Sequence, residues 1–301
     1  MHVFVTGASG WIGSATVVEL LAAGHRVTGL ARSTASADRL RARGVEPLTG
    51  DLDDLGSLRR GAAGADAVIH LANKHDFADP ASSNRAERAA VQTIGDELLG
   101  STRPFLFASG VAFSPGRRIT EQDVSPFSGP DSPRGGSEAL GMDFAERGVH
   151  SVSLRFAPTV HGPRDHGFIA EIVRIARQRD ASAYVGDGAN RWPAVHVIDA
   201  AQLVIRALET APAGSVVHAV AEEGVSTRQI AESVGQGLGV PVISVPAADA
   251  GAHFGWIGAF FALDLPASSE ATRERFQWTP SRPTLLEDLG AGAYFDTKVE
   301  R

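Results

Sequence analysis

The chain has 301 residues, of which 43% are hydrophobic and 21% charged, and its formal net charge is −7. This composition is ordinary for a globular protein and excludes a largely disordered chain. The negative charge argues against a nucleic-acid partner held by phosphate contacts. The sequence contains no cysteine, which excludes disulfides and thiolate catalysis. No apolar run approaches the roughly 20 residues that span a bilayer, so we expect a cytoplasmic protein with no membrane partner.

The chain opens with an apolar run at residues 3–5, which predicts a buried strand. Gly7, Gly10 and Gly13 follow at three-residue spacing and lead into an apolar-periodic segment that predicts a helix. Such glycines allow a tight turn, a close approach of the backbone to a pyrophosphate, and close packing of helix on strand, with the phosphates at the helix N-terminus. This context predicts a dinucleotide site, whose expected contacts here are Gly7, Ser9, Gly10, Trp11, Ile12 and Gly13.

Residues 26–30 predict a second strand, followed by Ala31, Arg32 and Ser33. Proteins of this architecture that prefer NAD place an acid at this strand end, where it binds the ribose 2′-hydroxyl. Ala31 stands there instead, and the Arg32 guanidinium would match a 2′-phosphate, with Ser33 beside it. We therefore predict NADP(H) in preference to NAD(H). The alternative is that Arg32 is a solvated loop cation.

Two further strands, at residues 45–48 and 67–71, are also followed by polar residues. Asp51, next to Leu52, could accept a hydrogen bond from an adenine amino group or cap the helix that starts near residue 55. The fourth strand ends where ligands collect in doubly wound sheets. The cofactor contacts predicted along these strand ends are Asp51, Leu52, Leu71, Ala72, Asn73 and Lys74.

Strands are predicted again at residues 105–108 and 152–155, and helices at residues 85–99 and 137–147. This alternation predicts an α/β fold of the Rossmann type, with a doubly wound parallel sheet. Residues 1–156 would form the dinucleotide-binding domain, and residues 157–301 mainly a smaller C-terminal substrate lobe. Residues 190–215 are expected to return to the first domain. No spacing typical of metal ligands is present, and we predict no metal.

Several motifs together carry a family resemblance. TGASGWIG near the start, VIHLA at residues 68–72, LRFAPTVHGP at residues 154–163 and VGDG at residues 185–188 resemble the short-chain dehydrogenase/reductase superfamily, in its extended, epimerase/dehydratase-like branch. The resemblance implies a nicotinamide cofactor, which Pro158, Thr159 and Val160 would also contact. It implies an active-site serine or threonine, matched here by Ser109 at the end of the fifth strand, which is counted among the cofactor contacts too.

The resemblance also implies a catalytic tyrosine four residues before a lysine, on the helix after the fifth strand. The only tyrosines are Tyr184 and Tyr294, and neither lies there. One alignment places Arg134 at the tyrosine position, and a second places Pro130 there and Arg134 at the lysine. The chain is therefore predicted to be an atypical member without the dyad.

Candidates for the missing chemistry are residues able to hold or protonate a carbonyl oxygen. Ser109 could donate one hydrogen bond, and Lys74 and His75 follow the fourth strand. His161 and Tyr184 could approach from the substrate lobe. The alternatives are that Lys74 and His75 contact only cofactor phosphate or solvent, that His161 is a turn histidine, and that Tyr184 belongs to the core.

The combined prediction is an NADP(H)-dependent oxidoreductase that reduces a carbonyl of a small or medium organic molecule. One alternative is a sugar-nucleotide epimerase or dehydratase, a chemistry that usually needs the dyad. The other is a non-catalytic NADP(H)-sensing protein. The expected partner is a small-molecule substrate. The chain would be a monomer or a homodimer, since the resemblance implies dimerisation through the helices at residues 85–99 and 137–147.

Overall fold

A computed structural model describes residues 1–76, 79–111 and 113–295. Strands and helices alternate through its first half, as predicted. In chain order the elements are β1 (His2–Thr6), α1 (Trp11–Ala22), β2 (Arg26–Ala31), α2 (Thr34–Arg41), β3 (Glu46–Thr49), α3 (Leu55–Ala63), β4 (Ala67–His70), α4 (Pro80–Leu98), β5 (Pro104–Gly110), α5 (Ser137–Glu146) and β6 (His150–Phe156).

The second half is less regular. Its elements are β7 (Thr159–His161), α6 (Phe168–Arg179), β8 (Ser182–Val185), β9 (Arg191–His196), α7 (Val197–Thr210), β10 (Val216–Ala219), β11 (Glu222–Ser226), α8 (Thr227–Leu238), β12 (Val242–Val245), α9 (Ala250–Phe254), α10 (Gly258–Phe261), α11 (Glu270–Phe276) and α12 (Leu285–Gly290). Among the helices of the described residues, none combines the length and the apolar character needed to cross a membrane.

Seven of the strands form one parallel sheet in the order β10-β6-β5-β4-β1-β2-β3. The chain first builds outward from β1 to β3 and then crosses to β4 on the other side of β1. At such a reversal the connections leave in opposite directions and open a crevice at the carboxyl ends of the strands. The predicted doubly wound, Rossmann-type fold is confirmed, and its crevice lies between the ends of β1 and β4.

Alternating residues of the strands build the two faces of this sheet. Val3 and Val5 pack on one side, in a core that includes residues of α1 and α7. Phe4 and Phe105 pack on the other side with residues of α3, α4 and α5. Because both faces are covered, the strand ends that form the crevice are held on a rigid layer.

The smaller sheets belong to the second half of the chain. Strands β7, β9 and β11 form one sheet, and β8 pairs with β12 in another. Helix α7 packs on α1, and β10 pairs with β6 at the edge of the large sheet. The chain after residue 157 therefore returns to the dinucleotide-binding layer as far as Ala219. The division into residues 1–156 and 157–301 stays a prediction.

Candidate active site

The glycine turn between β1 and α1 has no room for side chains. Gly7 has φ of 69°, and a Cβ there would lie 2.7 Å from the Ala72 amide nitrogen at the end of β4. A Cβ at Gly13 would lie 2.1 Å from the Gly7 carbonyl oxygen. Gly10 is the N-cap of α1, and no side chain caps the helix. The first-turn amides therefore keep their hydrogen-bonding capacity for an anion, which fits the pyrophosphate of a dinucleotide.

Trp11 connects this turn to the second half of the chain. Its indole Nε1 donates a hydrogen bond to the Val160 carbonyl oxygen over 2.7 Å. Its ring also makes an edge contact with His166, with 5.7 Å between the ring centroids. The segment Pro158, Thr159 and Val160 is thereby held against the start of α1, as a shared cofactor site requires.

Arg32 stands alone at the end of β2. Its side chain is exposed and has neither an ion pair nor a hydrogen bond within residues 1–76, 79–111 and 113–295. Ser33 instead caps α2, since its hydroxyl accepts a hydrogen bond from the Ser36 amide. The guanidinium is thus free to meet a phosphate, whereas the Ser33 hydroxyl already has a structural role.

Asp51 and Lys74 have local partners. Asp51 Oδ1 accepts hydrogen bonds from the amides of Asp53 and Asp54, and it is Asp54 that caps α3. The expectation that Asp51 caps this helix is therefore wrong. The ammonium of Lys74 binds both carboxylate oxygens of Asp53 at 2.8 Å. Lys74 therefore has a carboxylate partner beyond β3, and the proton-transfer role considered for it stays a prediction.

Ser109, near the end of β5, is the first member of a buried polar chain. Its hydroxyl donates to Glu138 Oε2 over 2.6 Å. The other oxygen of Glu138 accepts from Arg155 Nε at 2.6 Å and from the Ser153 hydroxyl at 3.1 Å. Arg155 is only 2% exposed, and its Nη1 lies 3.3 Å from His218 Nε2. The predicted serine is thus aligned by a carboxylate that an arginine holds in place.

A second buried carboxylate, Glu87 of α4, lies beside the first group. It is 1% exposed, and it accepts a hydrogen bond from the Asn73 side chain over 2.9 Å. Its Oε1 forms an ion pair with Arg134, whose Nη2 also donates to the Ala108 carbonyl oxygen over 2.9 Å. Arg134 therefore lies next to Ser109, at the carboxyl end of β5.

His75 faces the same group of charges. Desolvation by the surrounding protein lowers the pKa of its imidazole, and the positive charge of Arg134 acts in the same direction. Glu87 opposes both effects, and His166 adds a smaller lowering. Of the predicted catalytic residues, Ser109 is the one beside the Ala108 carbonyl oxygen that Arg134 contacts, and His75 is exposed within the electrostatic field of the Arg134–Glu87 pair.

His161 and Tyr184 both have partners in the second half of the chain, and their approach to the cofactor stays a prediction. His161 is 0% exposed, and its Nδ1 donates to Asp288 of α12 over 2.6 Å. Tyr184 lies on β8, where its hydroxyl accepts a hydrogen bond from Arg228 and the guanidinium stacks on its ring. Both side chains thus make contacts within the second half of the chain.

The sequence analysis missed the two buried acids. Glu87 falls on the buried face of α4 with Ala86, Ala90 and Val91, and Glu138 falls on the buried face of α5. A carboxylate within an apolar helix stripe must find a partner, because an unpaired buried charge is strongly unfavourable. That pattern was the available signal. The other tyrosine, Tyr294, follows α12, and its hydroxyl donates a hydrogen bond to Asp165. The sequence of α5 contains no tyrosine.

A doubly wound sheet whose switch-point crevice carries an uncapped glycine turn defines a dinucleotide-binding protein. The chain belongs to the NAD dependent epimerase/dehydratase family, whose model matches residues 3–220. Members of this family bind a nicotinamide cofactor, and the fit of the turn to a pyrophosphate agrees with that. The predicted superfamily and its epimerase/dehydratase-like branch are confirmed.

Individual relatives match most of the chain. It is 43% identical over 295 residues to an uncharacterized protein of Schizosaccharomyces pombe, covering 98% of this chain and 100% of that one. It is 26% identical over 272 residues to 4-hydroxy-2-methyl-3-oxo-4-farnesyl-3,4-dihydroquinoline-1-oxide ketoreductase of Stigmatella aurantiaca, covering 85% and 80%. Among solved structures it is similar to the Thermus thermophilus UDP-glucose 4-epimerase complex with NAD, with TM-score 0.75, 23% identity and 97% and 98% coverage. The last likeness shows the fold alone.

Proposed function

We propose that the protein is an NADP(H)-dependent oxidoreductase that reduces a carbonyl of a small or medium organic substrate. The observation that carries the proposal is the placement of an uncapped glycine turn after β1 and a buried, aligned serine near the end of β5, at the same carboxyl edge of one sheet in which only β4 separates the two strands. A ketoreductase among the relatives supports carbonyl reduction as the reaction. The proposed cofactor contacts are those predicted from the sequence, apart from the Ser33 hydroxyl, which caps α2.

A reduced nicotinamide supplies hydride chemistry when bound. The protein must then orient the substrate carbonyl and neutralise its oxygen. In our proposal the Ser109 hydroxyl hydrogen-bonds to that oxygen by turning from Glu138, the acceptor that fixes it in the free protein. His75 is the second candidate to supply the proton. Its lowered pKa makes its imidazolium a stronger acid and a rarer species at neutral pH, so a rate that depends on it rises as the pH falls.

The preference for NADP(H) rests on Arg32. A hydrogen bond to a charged group contributes about 1.5–3 kcal/mol, so Arg32→Leu should weaken NADPH binding roughly 10- to 100-fold and leave NADH binding nearly unchanged. Arg59→Leu removes another exposed arginine, on α3, and serves as the matched control. Fluorescence titration of each variant with both cofactors measures the effect. If the wild-type protein binds NADH as tightly as NADPH, the role of Arg32 is refuted.

The reaction is tested by incubating the NADPH-loaded protein with ketones, aldehydes and oxo acids and following the loss of NADPH absorbance. The same protein is incubated with UDP-glucose and dTDP-glucose, and the products are separated by chromatography. Turnover of carbonyl compounds supports the proposal, whereas conversion of a sugar nucleotide without net NADPH consumption supports an epimerase or dehydratase. Tight NADPH binding with no turnover in either screen supports a sensing protein.

A further inference from the structure

Arg134 adopts a backbone conformation that is unfavourable for its residue type. Its φ is 56°, in the left-handed region, and Gly135 and Gly136 continue the same conformation before α5. The two glycines tolerate this geometry, but a side chain there costs about 1–2 kcal/mol. Neighbours impose the turn, since the Arg134 amide donates to Asn84 Oδ1 and Arg88 Nη1 donates to the Gly135 carbonyl oxygen.

The guanidinium of Arg134 has donors to spare. Nη2 serves Glu87 and the Ala108 carbonyl oxygen. Nε is buried without a partner, and Nη1 has no hydrogen-bond partner among the described residues. The side chain is nevertheless 34% exposed at the end of β5, where its Nη2 contacts the Ala108 carbonyl oxygen. A buried donor without a partner costs about 1–3 kcal/mol.

The carboxylate of Glu87, which pairs with Arg134, is also in an unfavourable environment. Glu87 is almost completely buried, and His70 Nε2 lies 4.0 Å from its Oε1. Burial lowers the pKa of His70, which favours its neutral form, and Arg134 is therefore the cation that balances Glu87. Three unfavourable features thus meet in one ion pair at the end of β5. Strain that the surrounding structure maintains is a mark of functional sites.

We propose that Arg134 is a catalytic residue that binds the reacting oxygen of the substrate through Nη1 and stabilises the negative charge that develops there. This inference rests on the proposed function. In carbonyl reduction a hydride adds to the carbonyl carbon, the π electron pair moves onto oxygen, and a proton later neutralises that oxygen. A fixed cation aimed at the oxygen stabilises the charged state. Arginine remains protonated, so the proton comes from another group, for which Ser109 and His75 are the candidates.

Glu87 acts here as a positioning residue. It accepts a hydrogen bond from Nη2, as does the Ala108 carbonyl oxygen, and these two acceptors hold the guanidinium at the end of β5. In this arrangement Arg134, just before α5, binds the substrate oxygen that the family's catalytic tyrosine would bind. Proton transfer is left to separate groups. A site of this kind also binds a preformed anion, such as a carboxylate, at the same position.

The test compares Arg134→Met, Arg134→Lys and Arg88→Met. Arg88 is the matched control because it holds the same turn but donates only to a backbone oxygen. With a substrate from the carbonyl screen, Arg134→Met should lower kcat about 100- to 1000-fold, as loss of an oxyanion donor does. Arg134→Lys keeps the charge without the planar fork and should regain part of the rate. Arg88→Met should lose little. Equal losses in Arg134→Met and Arg88→Met would show a structural role only.

A second readout does not depend on turnover. The NADP⁺-loaded protein is titrated with acetate, a small oxyanion, and tryptophan fluorescence reports binding. We expect saturable binding in the wild type that Arg134→Met abolishes, with NADPH affinity unchanged. Acetate binding that is absent in the wild type or equal in Arg134→Met overturns the assignment. Arg134-dependent acetate binding without any turnover would instead reject the oxidoreductase proposal and leave the oxyanion site standing.

Where Arg134→Met fails to fold, the double variant Glu87→Leu/Arg134→Met replaces it. Replacing both members of a buried ion pair by apolar residues is tolerated far better than removing one. The double variant must lose acetate binding and turnover while keeping thermal stability and NADPH affinity. Full turnover in this stable variant refutes the assignment.

Discussion

The ion pair between Glu138 and Arg155 offers a sharp test of how the candidate site is held together. Glu138→Gln keeps the shape of the side chain and can still hydrogen-bond to Ser109 and Ser153. It leaves the guanidinium of Arg155, a side chain only 2% exposed, without a counter-charge. Arg155→Met instead leaves the buried Glu138 carboxylate without its cation. Removing one partner of a buried pair costs about 3–5 kcal/mol. At about 2–4 °C per kcal/mol, each single variant should lower Tm by roughly 10 °C.

The double variant Glu138→Gln/Arg155→Met removes both charges and should lose clearly less than the sum of the two single losses, because no uncompensated charge remains. Thermal unfolding followed by circular dichroism and urea unfolding measure the three variants and the wild type. Single variants that melt within about 2 °C of the wild type would refute the reasoning, since that shift corresponds to at most about 1 kcal/mol. Strict additivity in the double variant would refute the coupling between the two charges.

Two further predictions concern the glycine turn and a buried histidine. Gly13→Ala places a Cβ 2.1 Å from the Gly7 carbonyl oxygen, so NADPH affinity should fall at least about tenfold. Gly290→Ala, at a helical glycine with open space around it, is the control and should leave the affinity unchanged. Calorimetric titration measures both variants, and wild-type affinity in Gly13→Ala would contradict the packing argument. Burial lowers the pKa of His218, whose Nε2 faces Arg155. The neutral imidazole therefore contributes its full stability above about pH 6.5, and this contribution is lost as the pH falls toward the pKa of the folded state. Tm should drop in acid, and the drop should be smaller in His218→Gln. An equally steep drop of Tm in the variant would contradict this role of His218.

The local pattern was sufficient to predict the sheet and the turn. Hydrophobic runs and glycine spacing act over a few residues, and they predicted the alternation of strands and helices, the crevice and the glycine turn. They also placed Ser109 at the end of β5 and Arg32 at the end of β2, because parallel strands bring their carboxyl ends to one edge. These features depend on chain neighbours, so the sequence alone determined them.

The partners of the charged side chains depended on tertiary structure. Ser109 meets Glu138 across 29 residues of sequence, Arg134 meets Glu87 across 47, and His161 meets Asp288 across 127. No local rule joins such pairs, because each arises where separate elements pack against each other. Tertiary packing therefore paired His161 with Asp288 and placed Arg134 against the end of β5. The sequence by itself determined the class of protein and its dinucleotide turn, and the fold decided which charged side chains pair with each other, because such pairs form only where distant elements pack together.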